Sequence, residues 1–360
     1  MNITFLISCT YGGGAERVTC SLASYLAQKG HRVEILVMSE SEKSYPLDPA
    51  VTVTPLLKDA EKKNGLYNNA LRVLRLRRYL KKQRDIDHYV VMLPRTTLML
   101  LMLKGNTRAK ITASERVDPA AYPPKLAKQL KRYAKRADGF VFQTQDAMDW
   151  YGSAVDGCET EVIPNAINPD FIREPYRGAR KKRIVAAGRL NKQKNFALLI
   201  RAFHAIAPRF PDVTLSIFGE GEEQEELEGL IDSLGLKERV TLEGRTDRMA
   251  QELEQSSLFV LSSDFEGMPN ALMEAMATGL PCISTDCPCG GPRFLIRDGE
   301  NGLLVPVGDE TAMARAMENM LGDPDAAWKM GQKAEDVKRD LAPDVVYGQW
   351  EAFLKGLCHG

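Results

Sequence analysis

Two cations and three carboxylates stand at spacings that suit the handling of an anion. Arg189 and Lys194 lie five residues apart in Gly188-Arg189-Leu190-Asn191-Lys192-Gln193-Lys194-Asn195, straight after the apolar run 183–187. On one loop at the end of a strand they can converge on a single anion, the arginine with a two-pronged fork and the lysine as a point charge. Asp264 and Glu266 follow a second apolar run, 257–261. Pro269 is expected to open a helix there, because a proline's missing N–H is no loss at the first helical position. Glu266 is then a loop residue beside the positive end of that helix, where α/β proteins bind anionic ligands. Glu274 falls one turn inside, among Leu272, Met273, Ala275 and Met276. It is either part of an exposed charged stripe or, as those neighbours suggest, a buried carboxylate that needs hydrogen bonds. On one continuous helix the two glutamates would point about 80° apart. Sharing a ligand therefore requires Glu266 to be in the loop.

The elements that position these groups follow from the surrounding pattern. Residues 213–218 and 239–242 read as strands that end in Phe218-Gly219-Glu220-Gly221 and in Gly244-Arg245. Four successive strand ends thus carry glycine, a basic residue or an acid, as the crevice at the C-terminal edge of a parallel sheet does. Strands at 281–285 and 303–305, and helices at 311–321 and 326–340, complete this half. In the first half, strand 3–8 leads through Gly12-Gly13-Gly14 to a helix over 15–29 and a strand at 32–37. Strands at 51–55, 88–92, 109–114, 139–143 and 160–163 then alternate with helices at 69–84, 96–103, 125–136 and 146–151. Such alternation predicts an α/β fold with parallel, doubly wound sheets. Pro164-Asn165-Ala166-Ile167-Asn168-Pro169 breaks the pattern and 174–182 is polar and basic, so the expected domains are 1–168 and 169–342.

Composition narrows the class. A chain of 360 residues with 44% hydrophobic and 27% charged side chains is long enough for two globular domains. Its zero net charge hides an asymmetry: residues 1–168 hold 25 Lys and Arg against 17 Asp and Glu, and the remainder holds the opposite excess. The opening MNITFLIS reads as a strand feeding a glycine loop, not as a signal peptide. The richest apolar run, 98–103, falls far short of the roughly 20 residues that cross a bilayer. Seven scattered cysteines fit a reducing cytosol, and Cys287-Pro-Cys289 lacks the two-residue spacer of zinc and thioredoxin-like motifs. The four histidines form no metal-ligand spacing. Gly12-Gly13-Gly14 suits a tight turn or a binding loop; Arg17 in place of the third fingerprint glycine disfavours a dinucleotide oxidoreductase.

Two helices of the first half are strongly basic. Residues 70–84 carry seven basic side chains and no acid, with Arg72, Arg75, Arg78 and Lys82 on one face and Val73, Leu76 and Leu80 on the other. Residues 125–136 turn six Lys and Arg outward and Leu126, Leu130, Tyr133 and Ala134 inward. Both fit solvated amphipathic helices, and both fit contact with anionic lipid headgroups or with a diphosphate on a lipid carrier. A nucleic-acid partner is not expected, since aromatic interleaving is absent.

In combination, Gly188-Arg189…Lys194-Asn195, Phe218-Gly219-Glu220-Gly221, Glu266-x7-Glu274 and Asp298-Gly299-Glu300-Asn301-Gly302-Leu303-Leu304-Val305 resemble the family 4 retaining glycosyltransferases. Gly13-Gly14-Ala15-Glu16-Arg17 and Ile163-Pro164-Asn165 add support. The resemblance implies a GT-B fold, two facing Rossmann-like α/β domains with parallel sheets and a cleft between them. The last helix, within 343–360, would cross back onto the first domain. Arg189 and Lys194 would hold the diphosphate of a UDP-sugar, and Glu274 its ribose hydroxyls. Glu266, with Gly267, Met268, Pro269 and Asn270, would face the sugar. Arg245 would lie beside the base, with Gly188 and Gly219 in the same donor site and Gly13 and Gly14 approaching from the opposite domain.

Cations and a helix N-terminus aimed at the departing phosphate can replace a metal ion. No Asp-x-Asp pair sits at the C-terminal end of a strand, so neither a metal nor a cofactor is expected. The implied acceptor is a glycan, a polyprenyl-diphosphate-linked oligosaccharide or a surface polysaccharide precursor, handled in the cytoplasm at the inner face of the cell membrane. Arg72, Arg75 and Lys82 are candidates for that acceptor or membrane. Arg116 joins them because it stands where many relatives carry a histidine; it would bind an acceptor phosphate or the donor sugar, or form a salt bridge to Asp118 or Glu115. Phe294 replaces a glutamate common in relatives. A UDP-sugar 2-epimerase, disfavoured by the scarcity of histidine, and a non-catalytic glycan-binding protein are the alternatives.

Overall fold

The computed structural model describes residues 1–40, 43–58, 64–174, 176 and 178–359. Pro175 and Arg177, in the expected linker, lie outside the described residues. The chain divides into two α/β units, Met1–Ala166 with Asp344–Gly360, and Ile167–Pro343.

In the first unit, short apolar runs form seven strands among the described residues. They are β1 (Asn2–Ile7), β2 (Arg32–Val37), β3 (Thr52–Pro55), β4 (His88–Val91), β5 (Lys110–Ser114), β6 (Gly139–Phe142) and β7 (Glu159–Val162), all parallel in the order β3-β2-β1-β4-β5-β6-β7. Helices α1 (Gly14–Gln28), α2 (Gly65–Lys82), α3 (Pro94–Met102), α4 (Pro124–Ala134) and α5 (Gln145–Tyr151) connect them. Phe5, Leu6 and Ile7 of β1 and every residue of β4 and β6 are buried, as expected of strands covered on both faces. Strand order reverses between β1 and β4, which pair in register from Ile3 with His88.

The second unit repeats the plan with β8 (Arg183–Ala187), β9 (Thr214–Phe218), β10 (Val240–Gly244), β11 (Leu258–Leu261), β12 (Cys282–Thr285) and β13 (Leu303–Val305), in the order β10-β9-β8-β11-β12-β13. Its helices are α6 (Phe196–Ile206), α7 (Gln224–Ser233), α8 (Met249–Glu254), α9 (Asn270–Ala277), α10 (Gly291–Leu295), α11 (Glu310–Gly322), α12 (Pro324–Ala334) and α13 (Val337–Asp340). Phe196, Leu199 and Phe203 of α6 share a buried core with Met313 and Met317 of α11. Here the strand order reverses between β8 and β11. The single helix expected over 326–340 is broken at Glu335–Asp336, whose amides bond three residues back instead of four and so close α12.

The last helix, α14 (Pro343–His359), belongs to the first unit except for its opening proline. Trp350 and Leu354 are fully buried, and any side chain at Gly139, where β6 starts, would collide with Phe353 and Leu357. Glu351 bonds His31 at 2.9 Å, and the Cys358 sulfur lies 3.0 Å from the buried imidazole of His88.

α2 departs from the face expected of it. Arg72 donates to the Met38 carbonyl at 3.1 Å and the Ser39 hydroxyl at 2.6 Å, and Arg75 to the Leu56 carbonyl at 2.9 Å. Both are therefore struts to the segments after β2 and β3, not an outward basic face. The carbonyls at those strand ends need donors, and half-buried guanidiniums supply them. With Arg72 and Arg75 turned inward beside Leu76 and Leu80, Val73 and Leu74 are left exposed at 39% and 50%, and Leu66 at 86%. Arg78, Lys81 and Lys82 also remain exposed.

Candidate active site

The loops that leave β8 and β11 meet at the reversal point of the second sheet, and their side chains lace them together. Asn195 takes the left-handed backbone conformation (φ 45°), caps α6 by accepting from the Leu198 amide, and donates to the Asp264 carboxylate at 2.8 Å. The Asp264 amide donates to the Gln193 carbonyl, and Gln193 Nε2 donates to the Phe265 carbonyl at 2.9 Å. Ser262 Oγ donates to the Lys194 carbonyl at 2.8 Å.

Lys194 Nζ then lies 2.5 Å from Glu266 Oε1, which also accepts from Ser263 Oγ at 2.7 Å. Both side chains are largely withdrawn from water, at 16% and 9% exposure. A buried carboxylate of this kind persists because its charge is matched and its lone pairs are filled. Of the three ammonium hydrogens, two remain for another acceptor. Arg189, on the same loop, is exposed, and its side chain has no partner among the described residues.

Glycines bring the neighbouring strand ends close. The Gly188 amide donates to the Phe218 carbonyl and the Gly219 amide to the Gly244 carbonyl, which draws the ends of β8, β9 and β10 together. Gly219 sits at φ 141°, and a Cβ there would overlap the Gly188 carbonyl oxygen. On the other side, a Cβ at Gly291 would overlap the carbonyl oxygen of Gly267, so α10 presses against the loop that carries Glu266.

Glu266 lies in this loop. Pro269 is the cap residue before α9 and Asn270 its first residue, one position later than the sequence suggests. Gly267, Met268 and Pro269 are buried, and Glu274 is 7% exposed between Met273 and Met276, not on a solvated stripe. Arg245 is farther out: it pairs with Glu220 at 3.1 Å with both side chains more than half exposed. Such surface pairs are worth little. Arg245→Ala is accordingly expected to change kcat/KM less than about 5-fold, within the roughly 1 kcal/mol of an exposed ion pair, as steady-state kinetics would read.

The other expected residues belong to the first unit. Gly13 and Gly14 form the start of α1, where the Glu16 carboxylate folds back over Gly13. Arg116 lies two residues past β5 and is buried, but its side chain bonds neither Asp118 nor Glu115. Its Nη1 donates to Asn165 Oδ1 at 2.8 Å. Asp118 caps the turn that follows by accepting from the Ala120 amide. Glu115 is enclosed by the Tyr122 and Tyr151 hydroxyls and by the amides of Arg116 and Val117, so its oxygens are already taken. Phe294 on α10 is 50% exposed.

The ties made by Gln193, Asn195, Asp264, Ser262 and Ser263 escaped the sequence reading as site features. Their signal was local: small polar residues clustered at the two strand ends that flank the reversal point. An apolar cavity of about 610 Å3 opens at the opposite edge of this sheet, lined by Val213, Ser257, Pro281 and Trp328. Shape alone would favour that cavity; charge and buried hydrogen bonding favour the loops. Among the described residues no cluster of three His, Cys, Asp or Glu side chains could hold a metal ion.

Comparison with known proteins bears on the family and the fold. A family described as Glycosyltransferase Family 4 matches residues 12–171, and one described as Glycosyl transferases group 1 matches residues 181–323. An exopolysaccharide phosphotransferase of Streptomyces coelicolor is 30% identical over 99% of this chain, which spans only 41% of that relative's length. A Campylobacter jejuni enzyme that adds α-1,4-N-acetylgalactosamine to an undecaprenyl-diphosphate-linked glycan is 26% identical, covering 97% of both chains. Among solved structures, HepE of Anabaena in complex with UDP superposes with a TM-score of 0.82, 18% identity, and coverage of 99% of this chain and 100% of that one. That last likeness is one of fold.

Proposed function

The chain belongs to the family 4 glycosyltransferases, and from that premise we propose that it moves a hexose or N-acetylhexosamine from a UDP-sugar to a lipid-linked oligosaccharide or surface-polysaccharide precursor, with retention at the anomeric carbon. The observation that carries this reading is the laced pair of loops after β8 and β11, which holds Lys194 against the buried Glu266 with the exposed Arg189 on the same loop as Lys194. Anionic ligands bind at such a reversal point, outside the carboxyl ends of the strands.

In the reaction the bond from the sugar's anomeric carbon to the β-phosphate oxygen breaks, and negative charge grows on that phosphate. In this reading Arg189 and the two remaining hydrogens of Lys194 stabilise the charge as it develops. The acceptor hydroxyl attacks on the face the phosphate leaves, and its proton passes to the departing phosphate. Glu266, matched by Lys194 and Ser263, serves in this scheme as a positioning group for the sugar, and Glu274 holds the ribose hydroxyls. No metal step enters the scheme.

A panel of UDP-sugars read for slow release of UDP, followed by NMR of the product's anomeric configuration, tests the proposal. Release from none of them, an inverted product, or conversion of the sugar to its 2-epimer without acceptor would each overturn it.

The acceptor assignment draws on the Campylobacter relative and on α2. Among the described residues no helix is long and apolar enough to cross a membrane. α2 nevertheless exposes Leu66, Val73 and Leu74 alongside Arg78, Lys81 and Lys82, the pattern of a helix lying in an anionic interface. At about 1 kcal/mol per basic side chain near such a surface, Arg78→Gln/Lys81→Gln/Lys82→Gln is expected to weaken flotation on phosphatidylserine vesicles roughly 100-fold. Unaltered flotation, or flotation indifferent to salt, would remove the membrane from the reading.

A further inference from the structure

Arg116 is a buried cation of the first unit, outside the laced loops of the second. Only 8% of it is exposed. Of its five N–H hydrogens, one reaches Asn165 Oδ1 at 2.8 Å and one the Met92 thioether at 3.7 Å. Nε is buried with no hydrogen-bond partner among the described residues. The guanidinium carbon lies 5.5 Å from the centroid of the Trp350 ring. The nearby Glu115 is no bonded counter-charge, because two tyrosines and two amides occupy its oxygens. Burial pulls the guanidinium down only to about 10, so it stays charged near neutral pH. A cation held in this way, without a bonded anion, is costly unless something else supplies the charge.

The surroundings are also placed where ligands bind. Met92, Arg116, Gln143 and Asn165 follow β4, β5, β6 and β7, so four adjacent strands deliver them to the carboxyl edge of the first sheet. Gln143 Nε2 donates to the same Asn165 oxygen at 2.6 Å, which locks the amide as an acceptor facing Arg116. Ser114, at the end of β5, has a buried hydroxyl that also lacks a partner among the described residues.

We propose that Arg116 anchors an oxyanion-binding subsite in the first unit, taking a phosphate or carboxylate group on its Nε and free Nη hydrogens. The inference rests on the transferase reading only for the source of that anion: a diphosphate on the acceptor's carrier, or the carboxylate of an acidic sugar.

Trp350 provides a local reporter. In the full chain carrying Trp150→Phe and Trp328→Phe it is the sole indole. Saturating UDP occupies the loops of the second unit while pyrophosphate, phosphate and glucuronate are titrated against a chloride control. The expected result is a saturable change in Trp350 emission that Arg116→Gln weakens at least 10-fold and Arg116→Lys partly restores. Tighter response to pyrophosphate supports a carrier diphosphate, and tighter response to glucuronate an acidic sugar. A flat titration for every anion overturns the subsite without any variant, as does an unchanged titration in a folded Arg116→Gln protein. Calorimetry with UDP on the same protein separates the two readings. Failure to bind UDP with an intact anion response breaks the donor assignment alone, and the reverse breaks the subsite alone.

Discussion

Lys194→Ala is expected to lower kcat/KM by roughly 100- to 1,000-fold, the loss typical when one fixed donor to a developing negative charge is removed. The same substitution strips Glu266 of the ammonium 2.5 Å away and leaves a 9%-exposed carboxylate without its cation. Breaking a buried pair from one side destabilises by about 3–5 kcal/mol, so a fall in activity alone would be ambiguous. The double variant Lys194→Ala/Glu266→Gln resolves it. Neutralising the orphaned carboxylate should recover most of the lost thermal stability, while turnover stays low because the phosphate contact is still missing. Turnover that returns together with stability would mean that Lys194 serves only to balance Glu266, and the charge-stabilising role would have to be withdrawn.

Gly219→Ala should be nearly as damaging, through the backbone. A Cβ there would occupy the space of the Gly188 carbonyl oxygen, and φ 141° is a conformation open almost only to glycine. Nothing at that contact is a flexible side chain, so relief requires β8 and β9 to part at their ends. Strain and lost backbone bonding of this kind cost about 3 kcal/mol or more, roughly 6–12 °C in the melting of a unit this size. Because Gly188 begins the loop of Arg189 and Lys194, UDP affinity measured by calorimetry should fall further than Arg245→Ala would take it. A Gly219→Ala protein with unchanged melting and UDP binding would show that this close approach does not position the loop.

The fold was legible because its signals are local and repeated. Runs such as 183–187 and 213–218, each ending in glycine, mark fully buried parallel strands whatever the rest of the chain does. The loop position of Glu266 followed from Pro269 alone, to within one residue. The Lys194–Glu266 pair could not be read the same way: 72 residues separate the partners, and only the adjacency of β8 and β11 in the sheet brings them together. α2 was misread for a related reason. Periodicity grouped Arg72 and Arg75 with Arg78 as one outward face, but which side of a helix faces the protein was set by the unfilled carbonyls of Met38 and Leu56, residues from distant segments. Likewise, charge proximity in sequence offered a salt bridge from Arg116 to Glu115 or Asp118 as one of its readings. Local backbone geometry gave both carboxylates other donors first.

The return of α14 to the first unit sets an order of events during synthesis. The wall that Trp350, Phe353 and Leu357 form against β6 and Arg116 does not exist until residues 344–359 have been made. By then all of Ile167–Pro343 is already available to fold. The first unit is therefore completed only after the second has been made, and until α14 arrives it presents an unfinished apolar face. Domains emerging from the ribosome generally fold in sequence order; here the second unit can close before the first is complete.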